Sequence, residues 1–180
     1  MDESDLQQQL QWISEQLNSN SDNAELILQK IAVLRSLDLK EQISESFGHL
    51  ASLLPLSEDL WAIYISNELA LAEEPEDYED IAELYISALR CFRSFNLVVS
   101  FLEYLSSLSP HMVIPLMETI ELVVFRQALD IENGHSVWIS YFKFLKQLAA
   151  NPLATEFSED DLISKISNIV PSVLSVIPLF

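Results

Sequence analysis

Glycine is nearly absent from this 180-residue chain, which holds only Gly48 and Gly134. A turn-rich β-sandwich or a glycine-fingerprinted dinucleotide fold needs more than that. No GxGxxG or GxxxxGK[ST] occurs, so phosphate-cradling loops lack their signature. Cysteine is scarcer still. Cys91 alone excludes an intrachain disulfide and a thiolate metal cluster, and such a chain suits the reducing cytosol or nucleus. Basic residues are few, 9 against 28 acidic ones, for a formal charge of −19. That field repels phosphate backbones, so the segment is not expected to grip nucleic acid by itself. It favours basic partners such as histone-like tails or Lys/Arg-rich peptides, and its plainer consequence is solubility. No apolar run approaches the roughly 18–20 residues of a spanning helix. The opening "MDESDLQQQLQW" lacks the basic region and apolar core of a signal peptide. A soluble intracellular protein, without membrane contact, is expected.

What is present is helical periodicity in a chain that is 49% hydrophobic. Leu6, Leu10, Ile13 and Leu17 make a first stripe. Asp22 followed by Glu25 reads as a capping box for a second helix through Ile27, Leu28 and Ile31. Leu39, Ile43, Phe47, Leu50 and Leu54 form a third, stopped by Pro55, and Ser57 caps a fourth. After the acidic "EEPEDYED", read as a loop, come stripes through Ile81–Phe92 and Leu97–Leu108. A break at "SPHMVIP" precedes a long helix over about 115–131 ended by "NG", and Val137–Leu148 lines the next. Ser158 with Asp161 indicates one more capped start, and Pro171 and Pro178 interrupt an apolar tail. The pattern predicts an all-α protein of about nine helices.

The segment "LWAIYISNEL" sets Trp61, Tyr64 and Glu68 three and four residues apart, on one helical face. The same pair returns seventy-seven residues later as Trp138 and Tyr141, with Val98 and Phe101 about midway. Behind each lies a helix with a small residue at its centre, Ala88 in "LYISALR" and Ala128 in "VFRQALD", forty residues apart. "HLASLLP" around Ala51 precedes the first by thirty-seven. Two helices per unit of 37–40 residues describe a helix-pair solenoid.

These motifs resemble half-a-TPR (HAT) repeats. Their first helix carries Trp-x2-Tyr-x3-Glu, matched by Trp61, Tyr64 and Glu68. Their second carries aromatic-x-Arg-Ala-Leu, matched in part by Tyr85, Ala88 and Leu89 and by Phe125, Ala128 and Leu129. The repeat arginine is replaced by Ser87 and Gln127, and Leu145 stands where a second glutamate is expected. More closely, "HLASLLPLSEDLWAIYISNELALA", "VVFRQALDIENGHSVWISYFKFL" and "LSVIPLF" resemble, in order, segments of the spliceosomal U4/U6 snRNP recycling factors.

The resemblance implies a right-handed HAT/TPR-like solenoid and a nuclear protein-docking scaffold without catalytic activity. It implies snRNP components as partners, with a ubiquitin-specific protease and histones beside them. RNA contact would come from recognition motifs further along a longer chain, of which residues 1–180 are the monomeric N-terminal part. Two other readings stay open: a HAT/TPR adaptor of another RNA-processing complex, such as mRNA 3′-end cleavage or another snRNP, and an acidic histone-binding chaperone.

Trp61, Tyr64, Ala88, Val98, Phe101, Ala128, Trp138 and Tyr141 are expected to pack helix against helix, with Glu68 as a buried carboxylate satisfied by a neighbouring turn or an arginine. Glu73, Glu74, Glu76, Asp77, Glu79, Asp80 and Glu83 form either a solvated loop or an acidic lip for a basic partner. His49, His111 and His135 lack metal-ligand spacing, so neither metal nor cofactor is expected. Cys91 is expected to be a buried or half-buried thiol, and no nucleophile elbow occurs.

Overall fold

The computed structural model describes residues 2–129, 132, 134–151, 160, 164 and 167. Among these it is all helical: α1 (Glu3–Ser19), α2 (Ala24–Ser36), α3 (Lys40–Leu53), α4 (Glu58–Leu69), α5 (Pro75–Cys91) and α6 (Phe95–Ser107). The single turn α7 (Pro110–Val113) runs through a 3-10 turn (Ile114–Leu116) into α8 (Met117–Ala128), and α9 spans Gly134–Ala149. The capped start at Ser158 and Asp161, and the Pro171 and Pro178 interruptions, lie outside the described residues.

Local chemistry sets the helix ends. Asn23, one residue beyond the expected Asp22, caps α2: its Oδ1 accepts from the Glu25 and Leu26 N–H groups, both at 3.1 Å. Asp22 is occupied instead, accepting from the Ser21 hydroxyl at 2.8 Å and lying 3.7 Å from His49. Ser57 caps α4 as the sequence indicated, and Ser94 caps α6 through the Leu97 N–H at 3.1 Å. Asp38, at φ 53°, closes α2: its own N–H donates to Arg35 and that of Leu39 to Leu34. This is a Schellman ending with aspartate in place of glycine.

The acidic stretch is mostly helix rather than loop. Only Glu73 and Glu74 precede α5, because proline is favoured at a first helical position and carboxylates suit the positive helix start. Asp77 reaches back to accept both the Glu73 and Glu74 N–H groups at 2.9 Å, the return half of a capping box.

The chain divides into two compact units, Met1–Leu84 and Tyr85–Phe180. In the first, α1 packs on α2, α2 on α3 and α3 on α4, burying Ile13, Ile27, Leu34, Phe47, Leu50 and Leu56. In the second, α6 packs on α8 and α9, and α8 on α9, around Val98, Phe101, Ile120, Val124, Tyr141 and Leu145.

Gly134 opens α9 instead of ending the helix before it. A Cβ there would collide with the backbone carbonyl oxygen of Ala128. Gly134→Ala is therefore expected to cost about 1–2 kcal/mol, the clash outweighing alanine's helix preference. Urea unfolding checks this, and Gly48→Ala, whose Cβ would meet only the Tyr64 hydroxyl at 3.7 Å, is the benign comparison.

Candidate interaction surfaces

In the first unit the aromatic face of α4 is an interior surface. Trp61 is 6% exposed and stacks on half-buried Tyr64 at 6.1 Å, and Tyr64 stacks on Phe47 of α3 at 5.1 Å. The buried Trp61 indole N–H has no hydrogen-bond partner. Burial, with the Glu68 carboxylate a lesser cause, raises the Tyr64 phenol above its ordinary value. Glu68 itself is half-buried and takes no arginine. Its carboxylate accepts from the Asn67 amide at 3.3 Å, and that amide also donates to the Lys40 carbonyl at 3.1 Å. The carboxylate sits at the edge of the packed face, where water and one amide suffice.

In the second unit Ala88, Val98, Phe101 and Tyr141 are fully buried, while Ala128 and Trp138 are 9% and 8% exposed. Tyr85 of α5 stacks on Phe101 at 5.3 Å and on Tyr104 at 5.5 Å. Burial lifts the Tyr85 phenol, helped by Glu103. Burial also pushes the Tyr141 phenol far up; its O–H donates to Glu121 at 3.2 Å, and that carboxylate raises it further. Leu145, at the position matching Glu68, is wholly buried. A carboxylate there would have no water.

Gln127 carries a role that the missing repeat arginine hid. It is 2% exposed, and its amide donates to the Leu89 and Phe92 carbonyls, each at 2.7 Å. Its Oε1 accepts from the Ser94 N–H at 2.9 Å. One neutral side chain of α8 thus satisfies two carbonyls at the end of α5 and the amide of the residue capping α6. The signal in the sequence was a lone amide at a core register within "VVFRQAL".

Glu73, Glu74, Glu79, Asp80 and Glu83 are exposed and Asp77 half-buried; its two backbone hydrogen bonds hold the Asp77 carboxyl below its ordinary value. Cys91 is exposed, not buried, because it is the last residue of α5, beyond the packed stripe. Among the described residues no three His, Cys, Asp or Glu side chains are grouped to hold a metal, and no helix is long and apolar enough to cross a membrane. A shallow groove of about 400 Å³ beside α4 is lined by Arg35, Asp38, Lys40, Ile63, Ser66 and Asn67 among others. Large apolar side chains left outside include Trp12, and Leu122, Phe125 and Leu129 on one stripe of α8.

Helices paired through buried aromatic and small residues define a helical-repeat protein of the HAT/TPR kind. The model of the family "Suppressor of forked protein (Suf)" matches residues 8–177, and this chain belongs to that family. Suf is a HAT-repeat family involved in mRNA 3′-end processing; the match is not specifically to the U4/U6 recycling factors. None of the curated proteins compared with the chain matches it.

Two outcomes follow from this packing. Gln127→Met, similar in shape but without polar groups, is expected to destabilise the protein by about 3 kcal/mol, since buried backbone groups lose their partners. Chemical unfolding measures it. In alkali, burial makes Tyr64, Tyr85 and Tyr141 ionise less readily in the folded protein than in the unfolded one, where they titrate near the ordinary value of about 10. The unfolded state then binds fewer protons, so stability is full below about pH 10 and falls as pH rises beyond it. Tyr141→Phe flattens that fall in a series of melts from pH 8 to pH 11.

Proposed function

We propose that this chain is a protein-docking adaptor of the nuclear machinery that processes mRNA 3′ ends. The observation carrying the proposal is the Suf match over nearly the whole chain. Burial of Trp61, Phe101 and Tyr141 supports a scaffold whose aromatics keep helices in register, leaving outward residues to meet other proteins. A charge of −19 supports RNA being held by other modules. The acidic side chains from Glu73 to Glu83 are assigned to steering a basic partner segment towards α5.

A second reading, assembly or recycling of the U4/U6 snRNP, draws on the likeness of residues 49–72 to those factors. Its partners would be snRNP proteins, with the ubiquitin-specific protease and histones implied alongside.

The test is to tag the protein in its own cells, identify what co-purifies, and sequence the accompanying RNA. Subunits of the 3′-end cleavage machinery, with shifted poly(A)-site use on depletion, are the expected result. Strong enrichment of U6, with or without U4, would overturn that assignment in favour of the second. If neither appears, only the scaffold reading survives.

A further inference from the structure

We propose that the groove between α6 and α9 holds an extended segment of a partner protein in which acidic and basic residues alternate. The proposal rests on the adaptor reading and adds a site and the chemistry of its occupant. The groove encloses about 260 Å³ within the second unit, and helical stripes at steps of three and four form both walls. Leu102, Glu103 and Ser106 line it from α6, and Lys143, Phe144 and Gln147 from α9. Leu102 and Phe144 are buried and make an apolar floor, while Glu103 and Lys143 stand exposed, one on each wall. The Ser106 hydroxyl donates to Gln147 Oε1 at 3.0 Å and ties the walls together at one end.

Two opposite charges thus line one groove, yet neither has an ion-pair partner among the described residues. Glu103 is the sole charged side chain of α6, and Lys146, the other lysine of α9, lies outside the groove. Each wall runs over eight residues, about 11 Å at the helical rise, which admits about three residues of extended chain. An extended chain sends successive side chains to opposite sides. An acidic residue then meets Lys143 on α9 while its neighbour, a base, meets Glu103 on α6. A helix serves this arrangement poorly, because its adjacent side chains lie only about 100° apart. The Ser140 hydroxyl and the Gln147 amide nitrogen, also in the groove, are left to bond the main chain of the segment.

The occupant comes from another protein, because this chain supplies no such segment. Of its 9 bases only Lys40 has an acidic neighbour in sequence, Glu41, and both belong to the first turn of α3. A second copy or the chain's own tail is therefore the poorer occupant. Alternation also suits the charge of the whole molecule. A uniformly acidic segment would be repelled by a chain of −19, and a uniformly basic one would be set against Lys143. A segment with both signs, each on its own edge, satisfies both walls.

The experiment titrates the purified 180-residue chain into fluorescein-labelled six-residue peptides, too short to hold a helix in water. One alternates glutamate and lysine; its twin has the same residues in two blocks, glutamates first. Anisotropy is expected to show the alternating peptide binding roughly fivefold tighter, the yield of two partly shielded ion pairs. Glu103→Lys or Lys143→Glu alone sets like charges on both walls and weakens that binding at least about threefold, with an unchanged circular dichroism spectrum. The two exchanges together restore it, because an alternating chain offers each wall its other edge after a half-turn about its axis. A purely structural role for these side chains would give no such rescue. No binding, equal binding of the twins, tighter binding of the block peptide, or a double exchange that fails to restore affinity would overturn the proposal. So would a concentration-dependent dimer that either single exchange dissolves, which would seat a second copy in the groove. Co-purification with cleavage subunits is read separately, so this groove can fail while the adaptor function stands.

Discussion

Burial of one apolar stripe per helix against the next helix is the constraint on which this protein depends, because the sequence offers little else to hold it. It has one cysteine, and among the described residues no metal-holding cluster. The His49–Asp22 contact, 3.7 Å apart on the surface, is worth little. Leu34, Phe47 and Leu50 in the first unit, and Phe101, Tyr141 and Leu145 in the second, are shut away from water. Each stripe pays for the chain entropy of its own helix only when a neighbour covers it, so the helices stand or fall together.

That dependence makes the helix ends critical. A helix whose flank is buried must satisfy its terminal carbonyls and amides without water. Asn23, Asp38 and Ser57 do so locally at the surface, through short side chains or a left-handed turn. Where α5 ends and α6 begins, the work passes to Gln127 of a different helix, reaching thirty-three to thirty-eight residues back in sequence. An arginine, the usual repeat residue, would bring donors but no acceptor for the Ser94 amide, and a buried charge besides. The glutamine gives up ion pairing for a neutral staple.

The same logic separates inward from outward chemistry. The aromatic residues are committed to packing: Trp61, Tyr64 and Phe47 form one stack, Tyr85, Phe101 and Tyr104 another. What faces solvent is acid along α5 and apolar side chains such as Leu122, Phe125 and Ile139 on α8 and α9. A repeat scaffold is expected to divide its residues in this way, since any ring committed to a seam is lost to a partner.

Helix class was determined by the sequence alone, because a 3.6-residue period written in Leu, Ile, Val and aromatic residues admits few other readings. The family likeness was legible too, in Trp61, Tyr64 and the small residues at 88 and 128. Tertiary structure decided the rest. Periodicity cannot tell a covered stripe from an open one, so Phe125 and Leu129 read the same as Tyr85 and Leu89 until neighbouring helices were in place. Nor could it show that the acidic run begins a helix, since carboxylates favour both loops and first turns. Gln127 looked like a lost arginine because hydrogen bonds across more than thirty residues leave no local trace. Contacts between distant segments, not local preference, settled those three points.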